Sequence, residues 1–247
     1  STPCEHSFPT RRSSDLHTIV SGHAYSTLME NAKYASEIGL KILGVTDHGP
    51  NMPGAPDPWY FGNFQVLPKK LFGVKMLYGC EANIIDTEGN LDISSEVQRG
   101  LDVMIISMHE PIMEGNKSAD FNTAIILKAM DNPYVNILGH MGNPKFPIHE
   151  EEIVKKAKLK NILVEINNSS FVTSRKGSDK NCTKIAKLCM QFGAKIIVNS
   201  DAHFCYSIAN FSVAEKMLTE IHMPEELIAN ANEERLITFL KEKGRNI

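Results

Sequence analysis

Residues 41–49 read KILGVTDHG, an apolar run that ends in an Asp-His pair and a glycine. Apolar side chains occupy both alternating sets of positions in this run, which predicts a strand buried on both faces, as strands of parallel sheets are. Similar apolar runs recur at fairly regular intervals along the chain. They occupy residues 74–82, 102–108, 135–139, 162–166 and 195–200.

Segments with helical periodicity lie between these predicted strands. Their apolar residues recur at intervals of three and four, as on one face of a helix. The predicted helices cover residues 27–38, 122–130, 150–158, 182–192 and 213–221. Strand and helix in alternation indicate βαβ units and a parallel sheet, so the fold class is α/β.

Eight residues that bind metals well form the second pattern, and six of them fall at or just after the carboxyl end of a predicted strand. The eight are His17, His23, His48, Glu81, His109, His140, Asp201 and His203. Residues of this kind on almost every strand favour a closed barrel, because the strand ends of a barrel converge on one mouth. An open sheet would gather them at one switch point. Six strands and a damaged first strand before His17 make seven.

Imidazole and carboxylate ligands together suit Zn²⁺, Mn²⁺ or Fe. One catalytic Zn²⁺ needs about three protein ligands and an open position, so eight candidates indicate two or three ions. A carboxylate can bridge two cations, and Glu81 is placed to do so. The histidines His149 and His222 lie in polar helical surroundings and are not included.

The bulk composition excludes several classes of protein. A net charge of −3 gives no basic surface for nucleic acid, and no apolar run is long enough to span a bilayer. The five cysteines form no C-x-x-C pair, which is typical of reduced thiols in a cytoplasmic protein. We therefore expect a cytoplasmic protein that binds neither nucleic acid nor membrane, and homo-oligomerisation stays open.

The first sixteen residues, STPCEHSFPTRRSSDL, differ in character from the rest. They show no apolar period and no signal-peptide core. The string HSFPTRRSSDL resembles translated sequencing-adapter read-through. We interpret residues 1–16 as an artefactual leader or a disordered polar extension, and we expect the first strand to be damaged by it.

Several motifs together resemble the PHP (polymerase and histidinol phosphatase) superfamily, in its YcdX-like phosphatase branch. The motifs are S-x-H-A-Y-S-T at 21–27, T-D-H-G-P at 46–50, E-A-N at 81–83, H-E-P at 109–111, G-N-P after His140, E-I-N-N-S-S-F at 165–171, S-R-K-G-S at 174–178 and S-D-A-H at 200–203. The resemblance covers essentially everything from His17 onward. It implies one PHP metallohydrolase domain over residues 17–247, a distorted (β/α)7 TIM-like barrel, and three metal ions, usually zinc.

The resemblance also implies how the ligands are shared among the ions. Glu81 would bridge two ions, with His17 and Asp201 on one of them. The other ligands would divide between the second and third ions. His109 and His140 would hold the second ion, and His23, His48 and His203 the third.

One position departs from the family pattern, which opens with an H-x-H pair. If the spacing between His17 and His23 is kept, Asp15 takes the place of the first histidine. Alternatively, Asp15-Leu16-His17 corresponds to the family's D-L-H with two residues lost. Either way one imidazole is missing, so we expect the first ion to bind weakly.

Three further residues are predicted to contact substrate. Arg175, in the loop after the sixth strand, could clasp a phosphate in a bidentate way. Lys176 is a weaker candidate because a solvated loop explains it as well. Asn168 could position substrate or water, and a turn role explains it equally.

These residues predict a phosphoric monoester hydrolase. A metal-activated hydroxide at a multinuclear site would hydrolyse small phosphate monoesters, with no catalytic residue separate from the metal ligands. The alternatives are another PHP-type hydrolase, either a nuclease or a C–N hydrolase, or an inactivated metal-binding protein. The expected partner is a small phosphorylated substrate.

Overall fold

The computed structural model describes residues 12–247. It contains the six strands predicted from the apolar runs, a short strand before them and a short strand that precedes the second run. The strands are β1 (Arg12–Ser13), β2 (Ile42–Val45), β3 (Lys70–Leu71), β4 (Val74–Asn83), β5 (Val103–Ser107), β6 (Ile137–Leu138), β7 (Leu163–Asn167) and β8 (Ile196–Asn199).

The five predicted helices are present, with bounds that differ by a few residues, and four others accompany them. The helices are α1 (Leu28–Glu37), α2 (Pro58–Gly62), α3 (Ser95–Gly100), α4 (Ala119–Ala129), α5 (Glu150–Lys160), α6 (Ser169–Val172), α7 (Ser178–Phe192), α8 (Ser212–Glu220) and α9 (Glu233–Glu242). Short 3₁₀ turns cover Ile19–Ser21, Phe64–Val66, Cys205–Ser207 and Glu225–Leu227. Within residues 12–247, no helix has both the length and the apolar character of a membrane span.

Seven strands run parallel in the order β1-β2-β4-β5-β6-β7-β8, and β3 pairs antiparallel with β4. The two ends of this sheet meet through a parallel bridge between Leu16 and Ala202. The backbone N–H of His17 donates to the carbonyl of Ala202 at 2.9 Å, just beyond the ends of β1 and β8. The expected distorted (β/α)7 TIM-like barrel is therefore confirmed.

The inside of the barrel changes from apolar to polar along the strands. Ile42, Leu77 and Ile105 belong to a buried cluster that is separate from the larger core between strands and helices. Helix α9 contributes Phe239 to the same inner cluster, so it closes the amino-terminal end of the barrel. Side chains alternate along a strand, so Glu81 lies on the same side of β4 as Leu77, nearer the carboxyl end.

The structure places the start of the barrel earlier than the sequence suggested. Residues 1–11 lie outside the described part, but residues 12–16 belong to the barrel and not to a separate leader. Strand β1 pairs with β2, and Ser14 and Leu16 are fully buried. A Cβ on Gly44 would lie 2.7 Å from the Cα of Ser14. Small serines fit against this glycine. Because serine is polar, this strand lacks the apolar pattern by which the other strands were predicted.

The cysteines agree with reduced thiols. Cys80, Cys182, Cys189 and Cys205 are free and buried in the described part of the chain. Cys4 lies outside the described residues.

Candidate metal centre

All eight predicted ligands gather at the carboxyl end of the barrel, around Glu81. One carboxylate oxygen of Glu81, Oε1, lies 2.9 Å from His140 Nε2 and 3.5 Å from His109 Nε2. The other, Oε2, lies 2.8 Å from His48 Nδ1 and 3.5 Å from His17 Nε2. Glu81 is the inward residue near the end of β4, so its two oxygens face ligands from opposite sides of the cluster.

His17 lies among three carboxylates. Its Nε2 is 3.2 Å from Asp201 Oδ1 and 3.7 Å from Asp15 Oδ1, in addition to its approach to Glu81. The barrel closure beside Leu16 brings residues so distant in sequence together. Asp15 thus lies in the cluster, although it was not among the eight predicted ligands.

The remaining histidines form the layer nearer the solvent. His23 Nε2 lies 3.3 Å from His48 Nε2, and the His23 ring stacks on that of His203 with centroids 4.8 Å apart. The His17 ring lies 4.4 Å from the His203 ring. The described residues therefore hold one continuous group of imidazoles and carboxylates. Three overlapping triads each have ligand atoms within 4.8 Å of one another: His17 with His48 and His203, His48 with Glu81 and His109, and Asp15 with His17 and Asp201.

Hydrogen bonds at the other ring nitrogen determine which tautomer of His17 is present. The Ser21 hydroxyl donates its only hydrogen to Asp47 Oδ1 at 2.7 Å. Its oxygen must therefore accept from His17 Nδ1, 3.2 Å away. The neutral His17 ring then has a lone pair at Nε2, directed toward carboxylate oxygens.

His109 is fixed in the same way. The amide nitrogen of Asn83 donates to Asp92 Oδ2 at 2.5 Å and to the Gly49 carbonyl at 3.2 Å. The amide oxygen of Asn83 lies 2.8 Å from His109 Nδ1 and can only accept, so Nδ1 carries the proton. His109 Nε2 thus has its lone pair on the side of Glu81.

Lone pairs directed at carboxylates fit a cation and little else. Four buried atoms of the cluster make no hydrogen bond of good geometry with the described residues, although some lie close to one another. They are Asp15 Oδ2, His17 Nε2, His48 Nδ1 and Asp201 Oδ1. Buried polar atoms are normally satisfied, so an unpaired set that converges on one volume indicates a missing positive charge. The residues present fit a metal site.

The electrostatics of the cluster agree with this interpretation. Burial lowers the pKa of both His17 and His140 to about 4, so both rings are neutral ligands at pH 7. Burial alone would raise the pKa of Glu81, but the His109 and His48 rings hold it well below its usual range. Burial and nearby carboxylates raise the pKa of Asp15 well above its usual range.

A second polar layer lies beneath the cluster. Glu165, the inward residue of β7, accepts from the backbone N–H of His140 at 2.7 Å and from Asn199 Nδ2 at 2.8 Å. Burial, together with the charge of Asp201, raises the pKa of Glu165 to about 7. This layer fixes the backbone of a predicted ligand.

Three residues of the site have left-handed backbone conformations. They are His140 with φ 33°, Asp201 with φ 51° and Arg175 with φ 52°. Non-glycine residues avoid this region, and strain of this kind is concentrated at functional sites.

An open cavity of about 460 Å³ lies above the cluster. Arg175 lines it and donates from both terminal nitrogens to Asp201 Oδ2, at 3.1 and 3.2 Å. Burial alone would lower the pKa of Arg175, but Asp201 and neighbouring carboxylates raise it. A cavity with imidazoles and carboxylates as its floor and a guanidinium in its wall can receive an anion.

The other two predicted substrate contacts do not lie at this cavity. Asn168 is buried, and its Oδ1 accepts from the backbone N–H groups of Val213 and Ala214 at 3.1 and 3.0 Å. It caps the start of α8, a structural role that differs from the predicted substrate contact. Lys176 is exposed and is not among the cavity-lining residues. Its solvated-loop alternative agrees with this position.

Sequence reasoning missed several residues that support the ligands. Ser107 donates to Glu81 Oε1 at 2.6 Å, and Ser21, Asn83 and Asn199 also contact the centre or its lower layer. Asn83 lies two residues after Glu81 on β4, so the period of two could have identified it. Nothing local in the sequence distinguishes Ser21 or Asn199.

Comparisons with known proteins agree with this centre. The PHP domain family profile matches residues 14–169. A probable phosphatase of Clostridium novyi (strain NT) is 58% identical over 229 residues, 93% of this chain and 93% of the relative. A probable phosphatase of Caldanaerobacter subterraneus subsp. tengcongensis is 46% identical over 231 residues, 94% of this chain and 91% of the relative.

A solved structure shows the same fold. The histidinol phosphate phosphatase of Lactococcus lactis, in complex with zinc, L-histidinol and phosphate, matches with a TM-score of 0.60 and 16% identity. The match covers 96% of this chain and 95% of that chain, and at this identity it supports the fold alone. The profile match and the extensive identity to the clostridial relatives show that the chain belongs to the PHP domain family.

Proposed function

We propose that this protein is a metal-dependent phosphatase that hydrolyses small phosphate monoesters. One observation carries the proposal: unpaired imidazole and carboxylate atoms converge at the floor of an open cavity whose wall contains Arg175. The relatives named as probable phosphatases support the reaction class, and the zinc in the histidinol phosphate phosphatase structure supports the type of metal.

The eight ligands would hold three ions, with Glu81 between two of them. Zinc is the first candidate, and manganese or iron would suit the same donors. His17 and Asp201 would join the first ion at Glu81, His109 and His140 the second, and His23, His48 and His203 would hold the third. When bound, such ions would lower the pKa of water toward about 7 and neutralise charge on phosphoryl oxygens.

Arg175 would bind the phosphate group from the side of the cavity. A guanidinium has five N–H donors in a planar fork, and Asp201 accepts from only two of its nitrogens. Hydrogen bonds from Arg175 to Asp201, Ser170 and Ser174 hold its side chain in place. Arg175 can therefore bind a phosphoryl oxygen while it stays paired with Asp201. The pair would then hold the phosphate at a fixed position relative to the candidate ligand Asp201.

The protonation states of several donors favour binding of a cation near neutral pH. Because the pKa values of His17 and His140 are about 4, these rings need not lose a proton before binding a cation. The low pKa of Glu81 keeps its carboxylate ionised over the same range. His17, His140 and Glu81 therefore need no deprotonation before they bind a cation at neutral pH.

The test is metal analysis together with turnover. Protein purified without chelator is analysed for metal and assayed for release of phosphate from p-nitrophenyl phosphate. We expect EDTA to abolish release and Zn²⁺ or Mn²⁺ to restore it. His140→Ala should lose metal and activity, whereas His149→Ala should keep both, because His149 is a half-exposed surface residue that pairs with Asp120. Amide hydrolysis without phosphate release, or tightly bound metal without turnover, would overturn the proposal.

A further inference from the structure

Beside the candidate metal ligands, two further groups of side chains line the cavity. Ser169, Thr173 and Arg175 supply hydroxyl groups and a guanidinium. Tyr25 and Phe204 supply aromatic rings that are 77% and 45% exposed. An aromatic ring in contact with solvent at the mouth of a site is not needed for the core, because the barrel core is complete without it.

The backbones that carry these two rings are tied together, and the Phe204 ring is itself held by packing. The backbone N–H of Tyr25 donates to the carbonyl of His203 at 2.8 Å, which ties the two segments together. The Phe204 ring packs edge-on against Tyr206 at 5.2 Å, and Tyr206 packs against Tyr34 of α1 at 5.0 Å. Phe204 is thereby anchored to a helix while one side of its ring stays free.

We propose that Tyr25 and Phe204 form an aromatic wall that receives the leaving group, so the preferred substrates are phosphate monoesters with an aromatic or similarly flat apolar leaving group. The inference rests on the proposed phosphatase function. Tyr25 lies two residues after the ligand His23, and Phe204 follows the ligand His203 directly. When the phosphate of an ester is held at the cluster, its leaving group would therefore lie beside these rings.

The size of the cavity agrees with such a substrate. A volume of about 460 Å³ lies within the range of small-molecule sites, and is far more than a phosphate group requires. Contacts between aromatic rings stabilise beyond simple burial, so loss of one ring should be measurable in kcat/KM.

The experiment compares two probes in Phe204→Ala and in the native protein. The aromatic probe is 1-naphthyl phosphate and the small aliphatic probe is glycerol 2-phosphate. We expect the substitution to lower kcat/KM about tenfold for the naphthyl ester, which corresponds to about 1.4 kcal/mol, and to change the glycerol ester little. Trp59→Ala is the matched control, because Trp59 is 86% exposed but does not line the cavity.

The outcomes separate the two levels of the proposal. No phosphate from either probe with the native, metal-loaded protein overturns the phosphatase function itself. Turnover of both probes with an equal change in Phe204→Ala overturns only the aromatic wall. A naphthyl-selective loss that Trp59→Ala reproduces also overturns it, whereas retained glycerol ester turnover shows that the variant is folded.

A second inference comes from a different observation, the pair of carboxylates behind the ligand rings. Asp92 accepts from Asn83, which accepts from His109 Nδ1. Asp47 accepts from Ser21, which accepts from His17 Nδ1. In both series of hydrogen bonds a carboxylate, buried for Asp47 and partly buried for Asp92, acts through one polar group on the Nδ1 atom of a candidate ligand ring.

Further contacts hold the carboxylate at the end of each series of hydrogen bonds. Asp92 also accepts from the backbone N–H of Asn51 at 3.0 Å, and a Cβ on Gly49 would meet its carboxylate at 2.4 Å. Asp47 accepts from the Tyr60 hydroxyl at 2.9 Å and from Thr18 N–H at 2.7 Å. These contacts leave the carboxylates little freedom to turn.

The geometry points to Ser21 and Asn83 as positioning residues that set the ring orientation and the tautomer of His17 and His109, with Nδ1 as the donor and Nε2 facing the carboxylates. Removing such partners usually weakens metal binding about 10–100-fold. These hydrogen bonds are present without metal or substrate, so the positioning role can be tested on the metal-free protein.

The readouts are Zn²⁺ affinity by competition with a chelating dye and imidazole ¹⁵N NMR of the metal-free protein. Ser21→Ala and Asn83→Ala should weaken Zn²⁺ binding about 10–100-fold and turn the ring that each contacts into a mixture of tautomers. Ser21→Thr, which keeps the hydroxyl, should restore both. Ser26→Ala is the control: its buried hydroxyl accepts from Cys205 N–H at 2.9 Å and touches no ligand ring.

An unchanged tautomer with unchanged affinity in Ser21→Ala would overturn this assignment. So would an equal loss of affinity in Ser26→Ala, because that result would trace the effect to general destabilisation. If Asn83→Ala does not fold, the Ser21 variants decide the question alone.

Discussion

Replacement of His140 by asparagine should make the metal-free protein less sensitive to acid. His140 is buried against Glu81, and burial lowers its pKa from 6.5 to about 4. Asparagine is a suitable replacement because it tolerates the left-handed backbone, with φ 33°, at this position.

The sign and size follow from proton binding. Between pH 6.5 and about 4 the unfolded chain binds a proton at this histidine and the folded protein does not, so stability falls as the pH falls through this range. At about 1.4 kcal/mol per unit of pKa, the loss is about 3 kcal/mol. His140→Asn removes this loss, while the other buried acids and histidines are common to both proteins.

The assay is urea unfolding of EDTA-treated protein at pH 7 and at pH 4. With an m-value of about 3 kcal/mol per M, the native urea midpoint should fall about 1 M further than the His140→Asn midpoint over this interval. If the urea midpoints of the native protein and of His140→Asn fell by the same amount between pH 7 and pH 4, the argument would be refuted. That result would show that His140 is not kept neutral by burial.

Three further perturbations test other parts of the structure. Zn²⁺ at about a thousandfold excess over its Kd should stabilise the protein by about 4 kcal/mol and raise the Tm by roughly 10 °C in calorimetry, and EDTA should reverse the rise; an unchanged Tm would argue against a metal centre. Arg175→Lys keeps the charge but loses the fork toward Asp201, so kcat/KM for p-nitrophenyl phosphate should fall about tenfold, and equal kinetics would remove Arg175 from phosphate binding. Asn168→Ala should cost about 1 kcal/mol in urea unfolding through the lost cap of α8, with KM unchanged; a raised KM would return Asn168 to the substrate site.

The ligand set was predictable because its chemistry is visible residue by residue. His48, Glu81 and Asp201 each follow a run that is apolar on both faces, and parallel strands bring such ends to one mouth. The motifs around them point to the same family that the comparisons identify. The partners of the ligands were less visible, because serine and asparagine occur in every kind of loop.

The sequence alone determined the βαβ order, six of the strands and the candidate metal-binding side chains, since periodicity and donor chemistry are local properties. Only the tertiary structure decided that residues 12–16 complete the barrel, because burial of Ser14 depends on the gap left by Gly44 on another strand. It also decided which nitrogen of His17 faces the carboxylates and that Asn168 caps a helix. These are properties of contacts between distant segments, and a linear pattern carries no information about the direction in which a side chain finds its partner.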